Sequence, residues 1–200
     1  KQRTAELELR NRFIRETFGR YLSDKVVDSL LQSPEGLAMG GETRTVTVLM
    51  ADLRGFIAKT QGLPPERVVQ LVNVFLSAMT EVILRHGGTI DEFIGDAILV
   101  IFGAPVLGED DASRAVRCAL EMQREMVAVN EQNRALGLPE VEMGIGLSTG
   151  EVVVGNIGSE RRAKYGVVGA TVNLASRIES FTRGGDILLP DSTKGSLDYD

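Results

Sequence analysis

Residues 87–103, with the sequence GGTIDEFIGDAILVIFG, constrain the fold more than any other stretch of the chain. Two apolar runs, Thr89–Ile94 and Ala97–Phe102, flank the dipeptide Gly95-Asp96, and such runs around a two-residue Gly/Asp turn are typical of a β-hairpin. The pattern predicts that Asp96 lies at the hairpin tip and that Glu92 lies inside the first strand. Both acids have ordinary explanations, because aspartate forms turns and a charge on an edge strand discourages aggregation. A carboxylate in an apolar strand is nevertheless costly unless it has a partner.

Composition excludes several classes of protein. The 200 residues carry a net charge of −6, which speaks against a broad basic surface for nucleic acid. The single cysteine, Cys118, excludes an internal disulfide and is expected to be a small buried hydrophobic residue. With His86 as the only histidine, a zinc site built from imidazoles and thiolates is not expected.

The first 42 residues are predicted to form a helical linker, and residues 43–200 a catalytic domain. Apolar residues spaced three or four apart in residues 1–22 indicate an amphipathic helix, which could pair with a second copy or cover the same domain. Residues 24–32 form a second helical pattern, and a Gly- and Pro-rich stretch follows it. Because the chain starts without Met, we expect it to belong to a longer protein with an upstream sensory or regulatory domain. The catalytic domain is expected to be cytoplasmic, with any membrane anchor in the missing upstream part.

The remaining pattern predicts an α+β fold, an antiparallel-rich sheet with helices on one face. A strand at residues 44–51 ends in Asp52-Leu53-Arg54-Gly55-Phe56, where a glycine turn follows an acid. The final helix, residues 171–181, has an apolar stripe of Leu174, Ile178 and Phe181. The other predicted elements are helices from Pro65 to the 86–87 region and over 109–136, strands 141–147 and 151–157 joined by a turn at 148–150, a basic loop at 158–165, and a strand at 186–189.

Asp52 and Asp96 are two hard oxygen ligands, each at the end of a strand. Carboxylates without thiol or imidazole partners suit Mg²⁺ or Mn²⁺, which take their remaining ligands from substrate phosphates. Two such ions can hold the attacking and the leaving oxygen in phosphoryl or nucleotidyl transfer. Arginines near glycine turns, Arg161, Arg162 and Arg177, could neutralise charge that grows on the phosphorus. The chain has neither a Walker P-loop nor a kinase glycine loop.

These motifs resemble the catalytic domain of the class III nucleotidyl cyclases, over roughly residues 44–189. The resemblance lies in VTVLMADLRGF, GGTIDEFIGDAILVIFG, GIGLSTGEVVVGNIGS and VVGATVNLASRIES. It implies a ferredoxin-like βαββαβ core and a head-to-tail homodimer with active sites between the subunits. The segment FGRYLSDKVVDSLL resembles the linker that precedes this domain in many bacterial members.

The resemblance also implies roles for individual residues around the metal ions. Asp52 and Asp96, assisted by the Leu53 carbonyl, would bind two Mg²⁺ or Mn²⁺ ions. The turn through Arg54, Gly55 and Phe56 would cradle phosphates, and Arg161, with Arg162 as a second candidate, would contact the triphosphate.

Two further residues would come from the partner chain. By resemblance, Asn173 positions the ribose and Arg177 stabilises the pentavalent phosphorus. The 3′-hydroxyl would then attack the α-phosphate and pyrophosphate would leave. Family members usually supply a triphosphate-binding lysine beyond the position of Asp200.

The base-selecting positions of the family correspond to Glu92 and Gly166. Adenylate cyclases carry Lys at the first position, whereas guanylate cyclases carry Glu there, because a carboxylate accepts both N1–H and N2–H₂ of guanine. Glu92 therefore favours GTP, while Gly166 offers no side chain to the base. The expected function is that of a homodimeric guanylate cyclase making cyclic GMP. The alternatives are an adenylate cyclase with atypical base recognition and a non-catalytic dimerisation or sensing module.

Overall fold

The structure is a computed structural model, and it describes residues 39–159 and 161–197. The helices that the sequence predicts within residues 1–38 lie outside the described residues. The described strands are β1 (Gly40–Arg54), β2 (Thr89–Ile94), β3 (Ala97–Phe102), β4 (Glu142–Ser159), β5 (Arg162–Val168) and β6 (Ile187–Leu188). The described helices are α1 (Phe56–Thr60), α2 (Pro65–Arg85), α3 (Asp111–Ala135), α4 (Ala170–Glu179) and α5 (Asp191–Lys194).

The sheet has the strand order expected of a ferredoxin-like core. Strands run in the order β2-β3-β1-β4-β5, with β6 paired in parallel to β4 and all other pairs antiparallel. The βαββαβ unit consists of β1, α2, β2, β3, α3 and β4, which confirms the fold predicted from the sequence. Strand β1 already begins at Gly40, where the sequence predicts a linker, because β4 is long enough to pair with it there.

The hairpin around Gly95-Asp96 has the predicted bounds. Gly95 adopts a φ of 65°, a left-handed conformation that favours glycine, and this fits the tight turn between β2 and β3. All six residues of β3 are buried, since this strand lies inside the sheet and is covered on both faces. The apolar composition of the second run thus reflects burial on both sides.

Helices cover both faces of the sheet rather than one. Helices α2 and α3 pack on the face formed by the odd-numbered residues of β1, such as Leu49 and Leu53, and this side holds the larger core. Helix α4 packs on the opposite face, where Ala175 joins a smaller cluster with Val46 and Val48. Cys118 is buried in the larger core, as the sequence predicts.

Helix α2 is long and apolar enough to cross a membrane, judged by length and composition alone. The core helix of a globular domain passes the same test, and one side of α2 is buried in the larger core.

The predicted turn at residues 148–150 is absent, because these residues lie within β4, which is 18 residues long. Gly150 is paired with Val46 of β1, and a Cβ atom at Gly150 would lie 2.7 Å from Oγ1 of Thr171. The glycine is therefore needed for the close approach of α4, whereas the sequence suggests a turn. The real hairpin joins β4 to β5, so most of the predicted basic loop is strand.

The predicted apolar stripe of the last helix was assigned to the wrong side. Leu174 and Phe181 are exposed, whereas Thr171, Ala175 and Glu179, spaced four residues apart, face the sheet. The helix turns this side inward because β4 presents glycines to it, and small residues pack closely there. An apolar surface is thus left on the outside of the described part of the chain.

Candidate active site

Asp52 and Asp96 lie together at one end of the sheet. Asp52 pairs with Ala97 of β3 and with Gly144 of β4, and Asp96 directly precedes Ala97 in the tight turn. The carboxyl group of Asp96 accepts a hydrogen bond from the backbone of Leu53. Two carboxylates and a strand-end backbone segment therefore converge, as the sequence predicts.

Burial raises the pKa of Asp96 above its usual range, and the neighbouring charge of Asp52 raises the pKa further. Two carboxylates that repel each other favour a bound cation. Among the described residues, no group of three or more His, Cys, Asp or Glu side chains is arranged to hold a metal ion. Two carboxylates that offer only oxygen ligands would fit Mg²⁺ or Mn²⁺, because these ions complete their coordination with substrate and water.

Arg54 lies beside this pair of acids and is held by two carboxylates. Its Nη2 donates to Oδ1 of Asp52 at 2.7 Å and also to Oε1 of Glu179, the last residue of α4. Burial raises the pKa of Glu179 to about 7, and the charges of Asp52 and Asp96 act in the same direction against the opposing effect of Arg54. The sequence predicts Arg54 as a phosphate ligand; in the structure its guanidinium contacts acids of its own chain.

The turn after β1 begins helix α1. Gly55 adopts a φ of 65° with nothing near its Cβ position, so the backbone conformation alone requires glycine there. The Phe56 side chain packs against the larger core, which leaves only its backbone available to a ligand.

Glu92 is held by a lysine from the far edge of the sheet. The Nζ atom of Lys164, in β5, lies 3.0 Å from Oε1 of Glu92 and 2.9 Å from Oδ2 of Asp91. Burial acts to lower the pKa of Lys164, but its hydrogen bonds to Asp91 and Glu92 outweigh this effect and the net pKa is raised. Glu92 keeps 44% of its side chain exposed, so a ligand can reach its carboxylate.

Asp91 is a residue that sequence analysis missed. A bulge between Ile90 and Glu92 turns its side chain inward, where only 2% of it is exposed and Oδ1 has no hydrogen-bond partner. A Cβ atom at Gly166 would lie 2.8 Å from this Oδ1, so glycine leaves room for Asp91. The consecutive acids Asp91 and Glu92 in an apolar strand could have indicated this. Neighbouring residues of a regular strand point to opposite faces, so one of the two acids should face inward unless a bulge intervenes.

The remaining predicted residues lie apart from the acids within one chain. Asn173 and Arg177 are exposed on the outer side of α4, and in the described residues neither forms a hydrogen bond or ion pair with Asp52 or Asp96. Arg161 is exposed at the tip of the β4–β5 hairpin. One chain thus brings Asp52 and Asp96 together and presents Asn173 and Arg177 outward.

A family model described as the adenylate and guanylate cyclase catalytic domain matches residues 40–200. The chain belongs to this family. Adenylate cyclase 1 of Rhizobium meliloti (strain 1021) is 34% identical to this cyclase domain over 167 residues, which are 84% of the chain and 25% of that protein. The chain thus spans about a quarter of the length of this curated relative.

Solved structures of cyclases resemble the domain closely. The crystal structure of the guanylyl cyclase Cya2 has 56% sequence identity and a TM-score of 0.78, and covers 80% of this chain and 82% of its own. The adenylyl cyclase CyaB from P. aeruginosa has 36% identity and a TM-score of 0.75, with 79% and 82% covered. These relatives include both adenylate and guanylate cyclases, so membership of the family does not fix the base.

Proposed function

We propose that this cyclase domain converts GTP into 3′,5′-cyclic GMP and pyrophosphate at the interface of two copies of the chain. The observation that carries the proposal is the exposed Glu92 carboxylate, held by Lys164 at the base-selecting position. The similarity to the guanylyl cyclase Cya2, at 56% identity, also supports it.

The chemistry of the base favours guanine over adenine. Guanine presents N1–H and N2–H₂ on one edge, and the two oxygens of Glu92 can accept from both. Adenine presents a lone pair at N1, which would face a carboxylate without a shared proton. Lys164 restrains Glu92 and is itself neutralised by Asp91, so the base meets an oriented acceptor. A site built on such hydrogen bonds rejects an analogue that lacks the donors.

The reaction requires residues from two chains. Asp52 and Asp96 would hold two divalent ions, Mg²⁺ or Mn²⁺, which would activate the 3′-hydroxyl and neutralise charge on the triphosphate. Asn173 would orient the ribose, so that the 3′-oxygen lies in line with the α-phosphorus. Arg177 would stabilise the extra negative charge on the α-phosphate while pyrophosphate leaves.

A head-to-tail homodimer would unite these groups. Within one chain Asn173 and Arg177 are exposed on α4, and apolar side chains are also exposed on α4, just after it and at the tip of β2. Leu174, Phe181, Phe93 and Ile94 would be covered by the second copy. The residues that one chain exposes are then the ones that the other chain's acids need.

Turnover of GTP and ATP with Mn²⁺ tests the proposal. We expect cyclic GMP as the main product, and we expect Asp96→Asn to reduce it to background because one ligand of the metal site is lost. Glu131→Gln, at an exposed acid of α3, is the matched control and should keep full activity. Cyclic AMP as the main product would favour the adenylate cyclase alternative, and no product from either nucleotide would favour a non-catalytic module.

A further inference from the structure

Helix α4 carries functional groups on both of its sides. Its outer side presents Asn173 and Arg177, and its inner side ends in Glu179, whose side chain is only 9% exposed. The two inner residues before it, Thr171 and Ala175, are small. Glu179 is therefore an acid placed where the packing otherwise calls for small side chains.

Glycines of β4 bring this acid against the sheet. A Cβ atom at Gly146 would lie 2.6 Å from the Ala175 carbonyl oxygen and would also collide with the backbone nitrogen of Glu179. A Cβ atom at Gly144, the residue opposite Asp52, would lie 3.2 Å from Nε of Arg54. Because Gly144 and Gly146 have no side chains, both the end of α4 and the Arg54 side chain can pack directly against the backbone of β4.

Arg54 is the only cation paired with Glu179 among the described residues. The same Nη2 atom also contacts Asp52, and the Nε atom of Arg54 is buried without a hydrogen-bond partner. A guanidinium beside a metal-binding carboxylate competes with the cation for its oxygens. A second carboxylate that holds the guanidinium limits this competition and leaves the rest of the Asp52 carboxylate available.

We infer that Glu179 is a positioning residue for the metal site of its own chain, which acts by drawing the Arg54 guanidinium partly away from the Asp52 carboxylate. This inference rests on the proposed function, in which α4 also supplies Asn173 and Arg177 to the partner's site. One helix then supports the metal ligands of one active site through its inner side and completes the other active site through its outer side.

Direct titration with Mn²⁺ tests the inference without turnover. At pH 8, free Mn²⁺ is followed by electron paramagnetic resonance in wild type, Glu179→Gln, Arg54→Gln and the double variant. We expect Glu179→Gln to weaken Mn²⁺ binding about tenfold, because partners that orient metal ligands have effects of this size. Adding Arg54→Gln should restore binding, since no guanidinium then competes for Asp52. Glu121→Gln, which also loses an arginine partner, is the control and should bind Mn²⁺ as wild type does.

Restoration by the second change is a result that a merely structural role would not produce. Unchanged binding in folded Glu179→Gln would overturn the inference, and so would a loss that Arg54→Gln makes worse. If Glu179→Gln does not fold, Glu179→Asp, whose shorter side chain holds Arg54 less well, should also weaken Mn²⁺ binding, and adding Arg54→Gln should again restore it.

Heterodimers locate the effect in one chain. A chain with Arg177→Ala mixed with a chain with Asp52→Ala should form one intact site, with Asp52 from the first chain and Arg177 from the second. Glu179→Gln in the first chain should raise the Mn²⁺ concentration for half-maximal turnover about tenfold, whereas in the second chain it should leave that concentration unchanged. The opposite result would mean that Glu179 only shapes α4. If the parent pair gives no activity although heterodimers form, the shared site fails, while the Mn²⁺ titration still decides the role of Glu179.

Discussion

Single residues of the site take their properties from partners that lie far away in the chain. Asp91 and Lys164 are 73 residues apart in sequence, and Arg54 and Glu179 are 125 apart. Each pair joins an acid to a base across the sheet or between the sheet and α4. The role of such an acid therefore depends on its ion-pair partner as much as on its own side chain.

Glu92→Lys should reverse base preference only when Lys164 is also changed. The substituted ammonium would lie beside Nζ of Lys164, so the two charges would repel each other. We expect GTP turnover, measured as kcat/KM, to fall at least about 30-fold, since losing hydrogen bonds to a carboxylate that the bound base would cover costs roughly 2 kcal/mol or more. ATP turnover should rise relative to GTP in Glu92→Lys/Lys164→Gln. Lys164→Gln alone is the control and should still prefer GTP; an equal GTP/ATP ratio in all variants would exclude Glu92 as the base-reading residue.

Glu179 should make the metal-free protein less stable as pH rises. Its pKa is raised from 4.5 to about 7 in the folded state, so the folded protein holds this proton more tightly than the unfolded chain. The associated stability is present below pH 4.5 and is lost as pH rises to about 7. Urea denaturation in the presence of EDTA gives the free energy of unfolding at each pH. The free energy of unfolding of Glu179→Gln, relative to that of wild type, should rise by roughly 3 kcal/mol between pH 4.5 and pH 7. If the free energy of unfolding depended on pH in the same way for both proteins, this would contradict the raised pKa of Glu179.

Among the elements, β4 decides where the site is placed. Its glycines at 144, 146 and 150 lie on the face covered by α4, and they let helix backbone and side chains approach where any larger residue would collide. The strand thus sets the distance between Glu179 on α4 and Arg54 on β1. The same glycines suggest turns in the sequence, because close packing and turns both select this residue.

Gly146→Ala should disturb α4 as a unit. The new methyl group would meet backbone atoms of Ala175 and Glu179, which cannot move without the helix. We expect a loss of about 1–3 kcal/mol in the free energy of unfolding, together with weaker Mn²⁺ binding. Gly195→Ala is the control, since its φ is −67° and its nearest contact would be 3.7 Å away. A variant at position 146 with wild-type stability would show that α4 packs less closely than described.

At the scale of the molecule, one chain leaves an apolar surface uncovered beside groups that the proposed reaction needs. Leu174 lies between Asn173 and Arg177 on the outer side of α4 and is 40% exposed. Such a surface agrees with a second copy covering it, and this explains why a stripe that reads as core lies outside a single chain.

Leu174→Glu should weaken the proposed homodimer without unfolding the chain. A charge at this exposed position costs little in one chain but would be buried in the dimer. Sedimentation velocity should show more monomer, and turnover at a fixed low concentration should fall about tenfold or more. Val127→Glu, on α3 at 65% exposure, is the matched control and should change neither quantity. A stable dimer with full turnover in Leu174→Glu would exclude this face as the interface.

Local pattern alone predicts the hairpin around Gly95-Asp96 and the acids near the ends of strands, but it mistakes part of β4 for a turn and most of β5 for a loop. The apolar runs around Gly95-Asp96 predicted both strands of the hairpin, because a strand covered on both faces must be apolar along its length. Asp52 and Asp96 were predicted to lie at strand ends, since an acid next to a glycine turn rarely belongs to the core. The family motifs supplied the βαββαβ order, which the strand order of the sheet confirms.

Tertiary structure alone decided which residues hold the acids and which side of α4 is buried. A helix period shows which residues share a face, but the inner face was chosen by the glycines of β4, so Glu179 is buried and Leu174 is exposed. The bulge that buries Asp91 depends on pairing with β3, and Lys164 reaches it from the other edge of the sheet. Contacts between residues so far apart in sequence leave no periodic trace, because each is set by how whole elements pack.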